Sequence, residues 1–200
     1  MYDKIKEQEI KMNEEPDHRI EGGQINETPG NLFDYEKDCA LAISIGADFN
    51  FYGSLTKFFQ ARYGTRDELR QRFPHYQWNG KGYCLVTNNN HVFNLITKSR
   101  YFEKPTLANL REALVSMRDI AEERKIPKIV MPRIECGFNG MNWQDIKDII
   151  IDVYGGTNLD LRIVYLEEYI NGEIIDPDME KINFGEDRKH IDGNLEKKYF

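Results

Sequence analysis

Lys98 closes the strand-like run VFNLITK, so its ammonium would emerge where a strand ends. Deprotonated, such a nitrogen is a nucleophile; protonated, it is an ordinary solvated charge. Two other stretches have the composition of anion-binding turns. GADFNFYGSL, residues 46–55, carries Gly46 and Gly53 and runs into Ser54, where a helix N-terminus would present free N–H groups and partial positive charge. MPRIECGFNGMNW, 131–143, repeats the plan as a strand, a glycine-containing loop and a helix capped by Asn142. Each alone also reads as a plain strand-to-helix connection, but side by side the two loops could hold a diphosphate. Neither a GxGxxG nor a Walker pattern is present, which removes the usual dinucleotide and nucleoside-triphosphate readings. Cys39, Cys84 and Cys136 are odd in number and far apart, as reduced thiols would be, and His18, His75, His91 and His190 show no zinc spacing. No metal and no cofactor is expected.

The elements that must position these residues alternate. CALAISI, 39–45, is too short for a helix and predicts a buried strand. Ser54 precedes Leu55, Phe58, Phe59 and Tyr63 at helical spacing and Gly64 stops them, while Thr65 and Glu68 form the capping-box pattern of a second, short helix ending before Pro74. GYCLVT and VFNLIT flank Asn88, Asn89 and Asn90 and predict an antiparallel hairpin. Pro105 and Thr106 open an amphipathic helix carrying Leu107, Leu110, Leu114, Met117 and Ile120, ending at Lys125. KIVMP, 128–132, is a strand, Trp143 to Val153 a helix stopped by Gly155-Gly156, and LRIVYL, 161–166, the last strand. A mixed sheet with helices on both faces follows, with ligands expected beyond the carboxyl ends of its strands.

Residues 1–18 are charged and nearly free of large apolar side chains, and 168–200 are mostly polar, so both read as extensions flanking one folded unit at 19–167. The net charge of −7 disfavours a nucleic-acid groove, which needs clustered Lys and Arg. There is no apolar run of about 20 residues and no apolar secretion signal at the start, so no membrane contact is expected and the expected location is cytoplasmic.

VFNLITKSRYFEKPTLANLREAL at 92–114, KIVMPRIECGFNGMNW at 128–143 and LRIVYL at 161–166 together resemble the macrodomain family. More specifically they are similar to the branch containing the terminal ADP-ribose protein glycohydrolases. That branch carries a strand ending L-I-T-K, then K-P-T and a helix, then M-P-R-I-x-C-G-x-D with a Trp four residues on. The resemblance spans residues 20 to 166 and implies a three-layer α/β/α fold that binds ADP-ribose. It further implies that Lys98 attacks the anomeric carbon of the distal ribose and that backbone donors of Ile134, Glu135, Cys136, Gly137, Phe138 and Gly140, with Gly53 and Ser54 opposite, hold the ligand.

The chain departs from this pattern at identifiable points. The family's Asp after C-G-x, which resolves the sugar bound to the Lys, is here Asn139, and an amide cannot take up a proton as a general base does. Binding through backbone donors should therefore survive better than turnover. PGNLF at 29–33 stands where relatives have G-D-L-F, so Asn31, beside Leu32, keeps a carbonyl acceptor for the adenine amino group without the charge. Tyr165 matches an aromatic that packs on adenine, and reads equally as a core aromatic. Phe51 and Tyr52 replace a small, glycine-rich stretch, and either line a reshaped distal pocket or partly fill it. Other branches place an Asn at the foot of this loop where Gly46 stands, so their water-activating chemistry is not supported. Cys136 has no activating His nearby and reads as a structural thiol.

The leading expectation is a macrodomain that binds ADP-ribose or a derivative, from an ADP-ribosylated protein for example, and hydrolyses ADP-ribosyl esters or ADP-ribose 1''-phosphate through Lys98. The alternative is a non-catalytic reader or sequestering protein for an ADP-ribose-like signal, which Asn139 favours. A structural or protein-interaction module on a retained fold is the third.

Overall fold

A computed structural model describes residues 24–137 and 140–165. The extensions expected at 1–18 and 168–200, together with Phe138 and Asn139, lie outside the described residues. In chain order the elements are β1 (Gln24–Pro29), a 3-10 turn (Leu32–Tyr35), β2 (Ala40–Gly46), α1 (Ser54–Tyr63), α2 (Thr65–Arg72), β3 (Tyr83–Thr87), β4 (Val92–Lys98), α3 (Leu107–Glu123), β5 (Lys128–Pro132), α4 (Trp143–Tyr154) and β6 (Asp160–Tyr165).

The six strands form one sheet in the order β1-β6-β5-β2-β4-β3, parallel except for β3, which returns antiparallel to β4. Alternation along β2 divides the core in two. Ala40 and Ala42 face α3 and α4, joining Leu110, Leu114, Met117, Ile146 and Ile150. Leu41, Ile43 and Ile45 face the other way, onto Phe59 of α1 and Leu69 of α2. The period of two in a strand against that of 3.6 in a helix is thus enough to build the three layers expected. The hairpin also forms as expected, with Asn88, Asn89 and Asn90 all at positive φ (53°, 52° and 70°), the conformation asparagine tolerates best among residues with a side chain.

Two caps differ from expectation. Ser54 is the first helical residue and Gly53 the cap, without a side-chain bond. Gly64, at φ 64°, ends α1 and begins α2, so one residue separates the helices and Thr65 is already helical. The capping box has no room to form. Instead the Thr65 hydroxyl donates to the Phe59 carbonyl (3.4 Å) and to Asn88 Oδ1 (3.3 Å), while the Glu68 carboxylate accepts from Asn88 N (2.8 Å) and from Arg72 (2.8 Å). Thr106 and Asn142 do cap, accepting from Asn109 N and from Gln144 and Asp145 N.

β1 was not expected. QINETP has no alternating pattern, and its order comes from six parallel rungs with β6, from Gln24↔Asp160 to Pro29↔Tyr165.

Gly82 at the head of β3 passes so close to α3 that a Cβ there would lie 1.7 Å from the Asn109 carbonyl oxygen. Gly82→Ala must push backbone from backbone, and overpacking of this kind costs about 1–3 kcal/mol. Its urea midpoint is expected to fall accordingly; an unchanged midpoint would mean that β3 does not press on α3.

Candidate functional site

β2 and β5 are neighbours, yet their ladder holds only at Ala40↔Ile129 and Leu41↔Val130, the start of β2 and the second and third residues of β5. Toward their carboxyl ends the ladder has stopped, and the chain leaves β2 for β4 on one side and β5 for β6 on the other. This is a topological switch point, where an open α/β sheet leaves a crevice. From β2 emerges the loop 46–53 leading to α1; from β5 emerges the loop 133–142 leading to α4.

Lys98 ends β4 beside this crevice. It pairs with Gly46 across a register shift after Ile45, and Ala47 N donates to the Lys98 carbonyl at 2.9 Å. Gly46 allows the crossing: a Cβ there would come within 2.7 Å of Tyr101 N and 2.8 Å of the Arg100 carbonyl carbon. No larger residue fits this foot of the loop. Asp48 ties the turn, its Oδ1 accepting from Asn50 N (3.3 Å) and its Oδ2 from Asn50 Nδ2 (3.0 Å) and Tyr101 N (3.2 Å). Arg70 adds a bond to Asn50 Oδ1 at 3.2 Å. Phe51 turns inward and is buried with Phe49 in the core, whereas Tyr52 is exposed and packs on Tyr101 with ring centres 4.6 Å apart. Phe51 thus belongs to the core, and Tyr52 stands at the surface beside Tyr101.

The Lys98 side chain is only 8% exposed and its Nζ lies 3.4 Å from Oε2 of Glu135, whose side chain is fully buried. Glu135 Oε1 accepts from the Thr97 hydroxyl at 2.7 Å. A solvated strand-end lysine is thereby excluded. Glu135 was expected to act through its backbone; its carboxylate was not anticipated, although a lone acid between Ile134 and Cys136 is the kind of residue that is buried only with a partner. Ile134 is buried, and burial pushes the Cys136 thiol up to about 11, consistent with an inert structural cysteine. Gly140, at φ 56°, donates to the Gly137 carbonyl (3.0 Å), and Met141 N to that of Glu135 (3.1 Å), closing the loop. Gly140 N is thus engaged within the loop itself.

At the other end of the crevice, Gly30 N donates to the Tyr165 carbonyl at 3.0 Å, bringing Asn31 beside Tyr165. Asn31 Oδ1 accepts from Phe33 N at 3.0 Å, capping the 3-10 turn, and keeps a second lone pair. Leu32 is buried below it. One face of the Tyr165 ring is covered by the Arg133 guanidinium, 3.9 Å from the ring centre. Arg133 is fixed in turn by Glu27, 2.6 Å away, and Glu27 also takes Lys147 at 3.0 Å. Gly53 caps α1 and Ser54 is its first residue, and further along the same helix Phe58 stacks on Phe33 of the 3-10 turn, with ring centres 4.4 Å apart.

No group of His, Cys, Asp and Glu among the described residues is arranged to hold a metal ion. A hollow of about 310 Å³ lined by Glu36, Cys39, His91 and Pro127 lies at the opposite end of the strands. Burial pushes the pKa of its Cys39 thiol up and that of its His91 imidazole down.

No family model matches the chain. It is similar to the ADP-ribose glycohydrolase OARD1 of Homo sapiens, 28% identical over 155 residues, which are 78% of this chain and 97% of the human one. Among solved structures, the macrodomain of Mycobacterium tuberculosis DarG superposes with a TM-score of 0.60 at 20% identity, over 72% of this chain and 98% of that one. Thermosipho africanus DarTG in complex with ADP-ribose superposes with a TM-score of 0.58 at 14% identity, over 77% of this chain and 43% of that one.

Burial alone would raise the Glu27 carboxyl, but its hydrogen bonds from Lys147 and Arg133 outweigh it and hold the group below its ordinary value of 4.5. A depressed carboxylate adds stability that is complete above the unfolded-state value and is lost as pH falls through the folded one. Glu27→Gln should therefore be less stable than the native protein at neutral pH, with the gap closing below pH 4.5. Denaturant midpoints measured across that range check this; a gap that stays constant on acidification would show that the carboxylate charge plays no part.

Proposed function

The chain belongs to the macrodomain family, related to OARD1-like ADP-ribose glycohydrolases, and from that premise we propose that the crevice between β2 and β5 binds ADP-ribose or a derivative of it. We further propose that Lys98 hydrolyses ADP-ribosyl esters or ADP-ribose 1''-phosphate there. The observation that carries the reading is the early end of the β2–β5 ladder, with a glycine loop and a helix N-terminus on each side. A diphosphate between them meets the positive ends of α1 and α4 and backbone N–H groups of both loops. Adenine then falls at Asn31 and Tyr165, where the remaining lone pair of Asn31 accepts from its amino group and the Arg133 guanidinium, stacked on Tyr165, offers a flat cationic surface. The distal ribose falls at Lys98. The similarity to a human protein named as an ADP-ribose glycohydrolase, and to a structure solved with ADP-ribose, supports this choice of ligand.

The Lys98 amine is the nucleophile in this reading. Its lone pair bonds to the anomeric carbon as the carbon–oxygen bond to the carboxylate or phosphate breaks, and the leaving group takes that electron pair. A buried nitrogen close to its target avoids the solvent reorganisation that an exposed lysine must undergo. The second reading, a reader without turnover, rests on Asn139, whose amide cannot accept a proton.

Calorimetry should find ADP-ribose bound more tightly than AMP, because the second phosphate and the distal ribose add hydrogen bonds that AMP lacks; equal affinities would count against both loops as the diphosphate site. Lys98→Ala is expected to abolish release of ADP-ribose from an ester-linked peptide while keeping ADP-ribose affinity within roughly tenfold, about 1.4 kcal/mol. Undiminished turnover in that variant would remove Lys98 from the chemistry. Tight binding without turnover in the native protein would select the reader.

A further inference from the structure

Glu135 is at φ 60°, the left-handed region that a residue with a side chain seldom occupies, and strain of this kind gathers at working sites. The conformation sends its carboxylate inward. Among the described residues only two charged side chains, Lys98 and Glu135, are buried, and they are partners. Thr97 and Lys98 are successive residues of β4, whose side chains start from opposite faces of a strand, yet both reach this one carboxylate, Thr97 Oγ1 at Oε1 and Lys98 Nζ at Oε2. The acid therefore lies across the end of the strand, where it orients Nζ and stands next to it. As a device for stability the arrangement is poor, since burying two charges costs about as much as their attraction returns.

We propose that Glu135 is the proton acceptor of Lys98, supplying the carboxylate that position 139 lacks. The inference rests on the reading of Lys98 as a nucleophile toward ADP-ribosyl esters. One proton moves from the Nζ ammonium to Oε2, leaving a neutral amine and a neutral acid, so both buried charges vanish together. The amine then bonds to the anomeric carbon, the ester carbon–oxygen bond breaks, and the carboxylate leaves as an anion with the electron pair. The acid proton passes to solvent. Water next adds to the anomeric carbon while the carbon–nitrogen bond breaks; the water proton goes to Glu135 and from there to Nζ, which restores the ion pair. The sum is ester plus water giving free ADP-ribose, a carboxylate and one proton.

The test uses the full chain, a peptide carrying ADP-ribose on a glutamate ester, and Glu135→Gln and Glu135→Asp beside Lys98→Ala. Glu135→Gln keeps the shape and the Thr97 bond but cannot take a proton. It should lower kcat by 10²-fold or more, the range of one general base, with KM and ADP-ribose affinity within about threefold. Reductive trapping followed by intact-mass measurement should show the Lys98 adduct forming more slowly by the same factor. Glu135→Asp retains a carboxylate one methylene shorter, and is expected to recover at least tenfold of the lost kcat. A folded Glu135→Gln protein with native kcat overturns the proposal. If the Gln variant does not fold, Glu135→Asp decides: native kcat with the carboxylate drawn back overturns it, and a fall of about tenfold with unchanged KM upholds it. Should Lys98→Ala also turn over at the native rate, the nucleophile reading itself has failed and this inference falls with it; turnover lost in Lys98→Ala but intact in Glu135→Gln refutes the inference alone.

Discussion

The early parting of β2 and β5 is the constraint from which the rest of the site follows. Two parallel strands that stay paired to their ends leave no room between their loops. Here pairing stops at Leu41↔Val130, and each strand turns its carboxyl end toward a different neighbour. The sheet survives because β4 and β6 hold the outer edges of β2 and β5, and because α3 and α4 on one face and α1 and α2 on the other clamp the strands through separate cores. The crevice is a consequence of topology, and its lining is set by whatever residues occupy the first turns after each strand.

Those turns are stiffened in different ways at the two ends. Near Asn31 the stiffening is ionic and half-exposed: Glu27 holds Arg133 and Lys147, and Arg133 lies flat on Tyr165. Near Lys98 it has two levels: at the surface Gly46 lets the 100–101 backbone pass at close range and Asp48 gathers Asn50 and Tyr101, while beneath them the buried Glu135 secures Thr97 and Lys98. Solvent screens the ion pairs of Glu27 more than the contacts of the buried Glu135. A partly exposed end and a buried end with a nitrogen and a carboxylate in contact suit the ligand proposed above, held at one end and altered at the other.

Much of this was legible in the sequence wherever periodicity reports burial. KIVMP, the Asn88–Asn90 hairpin, and the helices headed by Thr106 and Asn142 fall where the pattern put them, because each is a long or well-punctuated run. β1 was not legible, since QINETP becomes a strand only through its rungs with β6, 136 positions further along at Gln24↔Asp160. The caps around Gly53 and Gly64 were misplaced by a residue, as local capping rules cannot see that two helices share one linking glycine. Lys98 could be placed at a strand end from VFNLITK, but the carboxylate that meets it is 37 residues distant and its direction depends on a left-handed backbone at Glu135, which no local pattern announces. Asn139, the departure most visible in the sequence, lies outside the described residues, and the buried carboxylate beside Lys98 is what the structure adds to it.

The central claim is that one ligand spans the crevice from Asn31 to Lys98. A crystal structure of the protein with ADP-ribose tests it most directly. Adenine is expected against Asn31 and the Arg133–Tyr165 stack, the diphosphate between the N-termini of α1 and α4, and the distal anomeric carbon within about 3.5 Å of Lys98 Nζ, the separation of a near-attack geometry. ADP-ribose bound at the Cys39–His91 end of the strands, or lying in the crevice with its distal ribose turned away from Lys98, would contradict the account.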